Sequence, residues 1–598
     1  MARMKLPLVI TLALSTAASA APKPLPAGYW PESRTQELLA KTETIRLAPD
    51  LSRLTPEEQR AVKELLEVGQ ILQRVYEESR HPQALEARAR LSKLDSQLGG
   101  PKQTRDLLTL YRLFQGPIAT TLDNRREAFL PVSAEVPARN VYPPDATREE
   151  LDAFLARFPE QRDSLLGERT VVRRAMKASL DRDLATLAKH PVLAVLHPRL
   201  APHLKSLAKK PDAKVLYAVP YPVAYANDFV RAYELLMSAA DSLEKSDDEF
   251  ARFLRNRARD LLSNDYESGD ASWVTGRFQR LNAQIGSYET YDDAIFGVKA
   301  FHGMSLLLEN EQATAELRRA LGGLQALQDS LPYVHPRRVR EDIPVGVYDV
   351  IADFGQARGT NTASILPNDA LFSRRYGRTI LLRDNIMKNP DIFAADERIW
   401  RAATVEAHAK DLAPEGNSQR TLWHEIGHYL GVDRDAKGRT LDVALEDYAD
   451  ALEEMKADLV SLFALQSMHK NGTVGDATLR AVRASGIRRT LQNAKPRRDQ
   501  PYQTMQLIQF NWFLSHGLLE ADPKTARLTI RYERYPETVA SLLKEVLTLQ
   551  HAGDKAAAAR FFDQWTTWTP ELHEALAARI REAQGARFRV VHYGALGE

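Results

Sequence analysis

Two histidines four residues apart, with a glutamate beside the first, form the stretch HEIGH at residues 424–428. If the histidines act together, this spacing demands an α-helix, because residues three or four apart share a helix face. Both imidazoles can then reach one ion. Glu425 projects beside them, placed to take a proton from metal-bound water. Zinc suits this chemistry: it accepts histidine and carboxylate ligands and lowers the pKa of bound water to about 7. Leu422, Ile426, Tyr429 and Leu430 give the segment apolar sides, and Gly431 is a natural helix end. The histidines are therefore expected to face a cleft between packed sides.

A catalytic zinc site takes a third protein ligand and keeps one position for water. The chain has no cysteine, which excludes thiolate ligands, disulfides and cysteine nucleophiles and leaves His, Asp or Glu. Downstream, LEDYADALEEMKADLVSLFAL carries Glu446, Asp450, Glu454 and Asp458 at a spacing of four. Like charges so placed disfavour a helix by roughly 0.2–0.5 kcal/mol a pair, and a cation relieves the repulsion. The bland alternative is a solvated acidic face. Glu454 is the expected third ligand. Asp458 and Glu453 are expected to accept the free ring N–H of the two histidines, as carboxylates behind metal ligands do.

The remaining sequence reads mainly as helix. LTPEEQRAVKELLEVGQILQRVYEESR opens with a capping box, Thr55 at the N-cap, Pro56 first and Glu58 third in the helix. Similar patterns fill roughly 150–210, 225–265, 300–330, 440–470 and 535–583. Strand-like stretches are few: 214–222, 345–355, 378–385 and 587–594. The expected fold is mainly α with a small mixed β component. One lobe holds a small sheet or barrel, the other is almost all helical, and the C-terminal strand returns to the first. With 598 residues, two large lobes or several domains are expected.

The first twenty residues carry Arg3 and Lys5, a short apolar run and a small-residue site ending at Ala20. This is the pattern of a cleaved secretory signal, so an exported, periplasmic or extracellular protein is expected. No later apolar run is long enough to span a bilayer. The net charge of +2 gives no strong bias toward nucleic acid or acidic membranes. The chain lacks a G-x-S-x-G elbow and a phosphate-cradling glycine loop.

At HEIGH and at EEMKAD, Glu453 to Asp458, the sequence resembles the dipeptidyl peptidase III family of zinc exopeptidases, as a divergent, exported, bacterial-type member. That family pairs a zinc-binding histidine helix with E-E-x-[RK]-A-[ED]. The resemblance implies one zinc per chain on His424, His428 and Glu454, with Glu453 and Asp458 orienting the histidines. IGSYETYDDAIFG (285–297) looks like the family's G-x-x-E-x-Y segment. This implies Tyr291 as a donor to the tetrahedral intermediate and Glu289 near the substrate's N-terminus. LPNDALFSRRYGRTILLRDN (366–385) resembles the P-N segment, implying that Asn368 contacts the peptide backbone.

Three features depart from the pattern. Many members carry one more residue between the histidines. Ile365 stands where the family has asparagine. Thr504 and Ile508 stand where a loose alignment puts its transition-state histidine and a nearby arginine. The implied fold has two lobes separated by a wide cleft, zinc on the helical lobe and peptide bound as an added strand on the other.

These readings divide the chain into a signal peptide (1–20), a mixed lobe (21–300), a helical segment of the catalytic lobe (301–335), strands returning to the mixed lobe (336–387), the helical zinc lobe (388–583) and a returning C-terminal strand (584–598). The expected activity is release of dipeptides from free N-termini of short peptides by a monomer without a membrane anchor. Two alternatives stay open. One is a zinc peptidase or hydrolase of different specificity. The other is a non-catalytic exported peptide-binding protein with structural zinc.

Overall fold

The computed structural model describes residues 25–134, 139–333, 337–339, 344–367, 372, 375–498 and 500–598. Helices carry most of it, with small mixed sheets between them. The helices that matter below are α1 (Pro56–Arg80), α2 (Ala226–Leu243), α3 (Asp248–Ser263), α4 (Pro414–Gly427), α5 (Ala449–Lys470), α6 (Asp476–Thr490), α7 (Pro501–Ser515) and α8 (Tyr535–Ala552). The strands are β1 (Thr42–Leu47), β2 (Thr170–Ala175), β3 (Asp212–Pro220), β4 (Leu281–Ser287), β5 (His302–Glu309), β6 (Val345–Gly355), β7 (Ala363–Leu366), β8 (Thr379–Arg383) and β9 (Phe588–Tyr593).

Helix α1 begins where its sequence says. The Thr55 side chain accepts from the Glu58 N–H, and the Glu58 carboxylate accepts from the Thr55 N–H at 2.8 Å. The two otherwise unpaired donors of the first turn are thus satisfied reciprocally. Its apolar face then packs on α2 and on β5 and β6.

The main sheet runs in the order β4-β5-β6-β8-β7. All neighbours are antiparallel except β6 and β8, which are parallel. The sheet serves two cores at once. Leu381, Val350, Ile351 and Phe354 belong to a core with α1, α2 and α3. Ile380, Leu382, Val345 and Val347 belong to a second core with α4 to α8. Successive β8 residues therefore point to opposite cores, as a period of two requires. This makes the molecule two lobes that share a sheet. Strands β1 and β9 pair in parallel, Thr42 opposite Phe588, joining the C-terminal strand to the first lobe.

The helical reading of 301–335 needs correction. Residues 302–309 form β5, and helices Glu311–Leu321 and Leu324–Ser330 follow. This interior strand is covered on both faces, so its run of Met304, Leu306, Leu307 and Leu308 carries no alternation. By pattern alone such a run is indistinguishable from a buried helix. Helix over 150–210 is likewise interrupted by β2, which pairs antiparallel with β3. Strands β1 and β4 and two short hairpins, Ile118–Thr120 with Arg126–Ala128 and Leu519–Ala521 with Leu528–Ile530, were not anticipated. The proposed signal peptide lies outside the described residues. Among the described residues no helix is long and apolar enough to cross a membrane.

Candidate metal centre

Helix α4 is pressed between α5 and α6. Two glycines permit the approach. A Cβ on Gly427 would stand 2.8 Å from the Ala457 carbonyl oxygen, and one on Gly416 would stand 2.2 Å from that of Ala481. A side chain at Gly427 would push the histidine helix off the acidic helix. The helix ends at Gly427, with His428 at its C-cap in helical backbone (φ −63°, ψ −24°). Gly431, at φ +83°, lies in the turn beyond and does not end the helix.

The close packing brings His424, His428 and Glu454 together. One ligand atom from each lies within 4.8 Å of the others. His424 Nε2 is 3.3 Å from Glu454 Oε2, and His428 Nε2 is 3.9 Å from Glu454 Oε1. The other ring nitrogens are taken. His424 Nδ1 is 2.7 Å from Asp458 Oδ1, and His428 Nδ1 is 3.1 Å from Glu453 Oε1. Such partners fix each imidazole so that Nε2 faces the common point. Glu454 Oε2 is buried and makes no well-aligned hydrogen bond, although His424 Nε2 stands 3.3 Å away. A buried carboxylate oxygen without a donor is costly unless a cation meets it. Two imidazole nitrogens and a carboxylate are also the donor set of an open zinc site. The residues fit a metal.

Asp458 is the electrostatic hinge of the site. Burial pushes its carboxyl up, but Arg489, His424 and Arg420 hold it well below the usual carboxylate range. Arg489 Nε donates to it at 2.7 Å and Arg420 NH1 at 3.3 Å. Glu453 also lies below its ordinary value: burial opposes this, but Lys456, 2.7 Å away, and His428 outweigh it. Burial would lower His424, yet the Asp458 and Glu454 carboxylates raise it to about 9.

Glu425 is half-buried on the same helix. It lines a cavity of about 960 Å³ with His424, His428, Glu453, Glu454 and Tyr502. The opposite wall includes Ala363 and Ile365 of β7, the edge strand of the sheet. The Arg383 N–H donates to Thr362 O at 2.9 Å, so the peptide of Thr362 faces β8. Alternation then turns the peptide groups of Ala363 and Ile365 away from β8, toward the cavity side.

Tyr291 and Glu289 are not in this cavity. They line an adjoining one of about 350 Å³, which shares Asn361, Ala363 and Ile365 with the first. Tyr291 is 69% exposed, so it is no core residue. Asn368 lies outside the described residues. Thr504 and Ile508 are buried in the helical core, and Thr504 Oγ1 donates to Arg497 O.

Sequence reasoning missed Arg420, Arg489, Gln509 and Tyr502. Arg420 stands one turn before His424 on the same face, so helical spacing could have found it. Gln509 donates to Asp458 at 3.4 Å, and Tyr502 donates to Glu454 Oε1 at 3.0 Å. Both sit on α7, distant in sequence from the motif and without spacing that marks them.

No protein-family model matches the chain. Its backbone superposes on DPP III from Caldithrix abyssi with a TM-score of 0.76 and 22% identity, over 93% of this chain and 98% of that one. Dipeptidyl-peptidase III from Corallococcus sp. strain EGB matches with a TM-score of 0.68 and 23% identity, over 94% and 97%. The chain thus has the dipeptidyl peptidase III fold, which agrees with the motif resemblance. In sequence it is 27% identical over 454 residues to an Arabidopsis thaliana protein named Nudix hydrolase 3. That match spans 74% of this chain and 55% of that protein, so the chain covers about half the length of this curated relative.

Proposed function

We propose that the protein is a zinc-dependent peptidase that releases dipeptides from the free N-termini of short peptides. The observation that carries the reading is the convergence of His424, His428 and Glu454, each histidine backed by a carboxylate, beside Glu425 in one cavity. His424, His428 and Glu454 would hold a zinc ion there, which would supply an acidified water and a polarised carbonyl. Glu425 takes a proton from the attacking water as the water oxygen adds to the carbonyl carbon. It then passes the proton to the amine nitrogen as the C–N bond breaks. Asp458 and Glu453 keep the imidazoles oriented.

The substrate's main chain is held as an added strand along β7, whose Ala363 and Ile365 peptide groups face outward. Glu289 and Asn368 hold the free N-terminus and the backbone, and Tyr291 approaches from the adjoining cavity. The protein works as an exported monomer on peptides, not on nucleic acid. One observation favours a peptidase of different specificity as the second reading: Tyr291 and Glu289 stand in a cavity apart from the metal ligands.

The test is digestion of a mixed peptide library by the zinc-loaded protein, read by mass spectrometry, with Glu425→Gln as control. Dipeptides from free N-termini, absent with the variant, support the reading. Internal cleavage lost in the variant favours the second. No cleavage by folded, zinc-loaded protein overturns both and leaves a peptide-binding protein.

A further inference from the structure

Tyr502 is on the first turn of α7, and its side chain is 53% exposed. Its hydroxyl donates to Glu454 Oε1 at 3.0 Å. Glu454 turns its other oxygen toward His424 Nε2. The phenol therefore lies at the rim of the point where the ligand atoms converge, in the cavity that Glu425 lines. Packing does not account for it, since half of the ring is outside the core and large aromatic rings are ordinarily well buried.

Hydrolysis of a peptide puts negative charge on the carbonyl oxygen as water adds. A donor aimed at that oxygen is among the strongest contributions a site can make. Tyr291 lines a different cavity, and Thr504 and Ile508 face the core. Tyr502 is already within hydrogen-bond distance of a candidate metal ligand.

We infer that Tyr502 is a catalytic residue whose hydroxyl donates to the substrate's carbonyl oxygen as that oxygen becomes negative. The inference rests on the peptidase reading. When Glu454 engages a cation, its Oε1 becomes a poorer acceptor. The phenol then turns to the substrate by rotating a side chain with two main torsions. The phenol's own O–H bond stays intact throughout: water supplies the oxygen, Glu425 carries its proton to the amine, and Tyr502 only donates.

The test compares wild type with Tyr502→Phe in four measurements. These are kcat and KM, zinc affinity by chelator competition, affinity for a phosphinic peptide mimicking the tetrahedral state, and affinity for an intact peptide on a Glu425→Gln background. We expect kcat to fall about a hundredfold and phosphinic affinity to fall by a similar factor. Zinc affinity, KM and intact-peptide affinity should stay within about twofold, as for an interaction made only in the transition state. An active wild type with an equally active Tyr502→Phe overturns the inference alone. So does a parallel loss of zinc affinity, which would make Tyr502 a positioning residue for Glu454. A wild type that holds zinc yet cleaves no peptide overturns the peptidase reading, and the inference with it.

Discussion

The two walls of the cavity at the metal ligands are built on different principles. The metal wall lies on α4 and α5, and His424, His428, Glu453, Glu454 and Asp458 are each held by at least one other group. Asp458 alone engages His424, Arg420, Arg489 and Gln509. The opposite wall is the edge strand β7 and adjoining loop, and what it offers is main chain. The first wall fixes the orientation of its ligand side chains through paired hydrogen bonds. The second presents a repeating row of peptide groups that tolerates many side chains. A chain that performs one reaction on many peptides needs this division, with rigid chemistry on one side and generic recognition on the other.

The largest expected effect comes from breaking the metal wall at its centre. Glu454→Ala removes one of three ligands, and a site with two protein ligands does not retain zinc against competition. Metal content after dialysis, measured by mass spectrometry, should fall below about a tenth per chain. Peptidase activity should fall with it. A variant that keeps full zinc occupancy would place the third ligand elsewhere.

The next comparison is within the wall, between the two carboxylates behind the histidines. The Asp458 side chain is 4% exposed and that of Glu453 32%. Asp458→Asn leaves two guanidinium groups and an imidazole facing an uncharged amide. It should cost about 3 kcal/mol of stability, as breaking buried charge networks does. Zinc affinity should drop by about ten- to a hundredfold. Glu453→Gln keeps an acceptor for Lys456 beside a partly wetted edge, and should cost about 1 kcal/mol. Chemical denaturation of the metal-free variants measures both. Equal costs would mean that water reaches Asp458.

On the other wall, Ile365→Pro removes an outward-facing N–H, which an edge strand tolerates. If peptides bind as an added strand, KM should rise about tenfold while kcat changes less. An unchanged KM would remove β7 from substrate binding.

The same division decides what was legible in the sequence. His424, Glu425, His428, Glu453, Glu454 and Asp458 stand out because each pair is set by spacing within one helix, and a helix turns spacing into a face. Joining the two helices needed only that the acidic stripe have a reason to exist. Tyr502, Arg489 and Gln509 were illegible because they reach the site from α6 and α7 by tertiary packing, which leaves no local period. Strand β5 was misread because a strand covered on both faces loses alternation, the mark by which strands are recognised. The edge strand β7 passed unnoticed for another reason: its four residues are too short a window for any period.

The smallest effect sharpens the comparison through pH. On the metal wall Glu453, Glu454 and Asp458 lie below their ordinary range, whereas Asp260, buried in the first lobe, goes the other way. Burial raises it to about 6, only partly countered by Arg257. Its neighbours Arg257 and Asp270 grip the hydroxyl of Tyr288, the residue preceding Glu289. The folded carboxyl is raised above its unfolded value of about 3.9, so between about pH 4 and 6 the folded state binds more protons. Stability from this group is therefore full below about pH 4 and is lost as pH rises through 6. Asp260→Asn carries no such titration. In denaturation followed from pH 4 to 7, wild type should lose stability relative to Asp260→Asn as pH rises, with the difference levelling off above about 7. A constant gap across that range would mean that Arg257 holds Asp260 ionised throughout, and that this part of the first lobe, like the metal wall, rests on a permanently charged network.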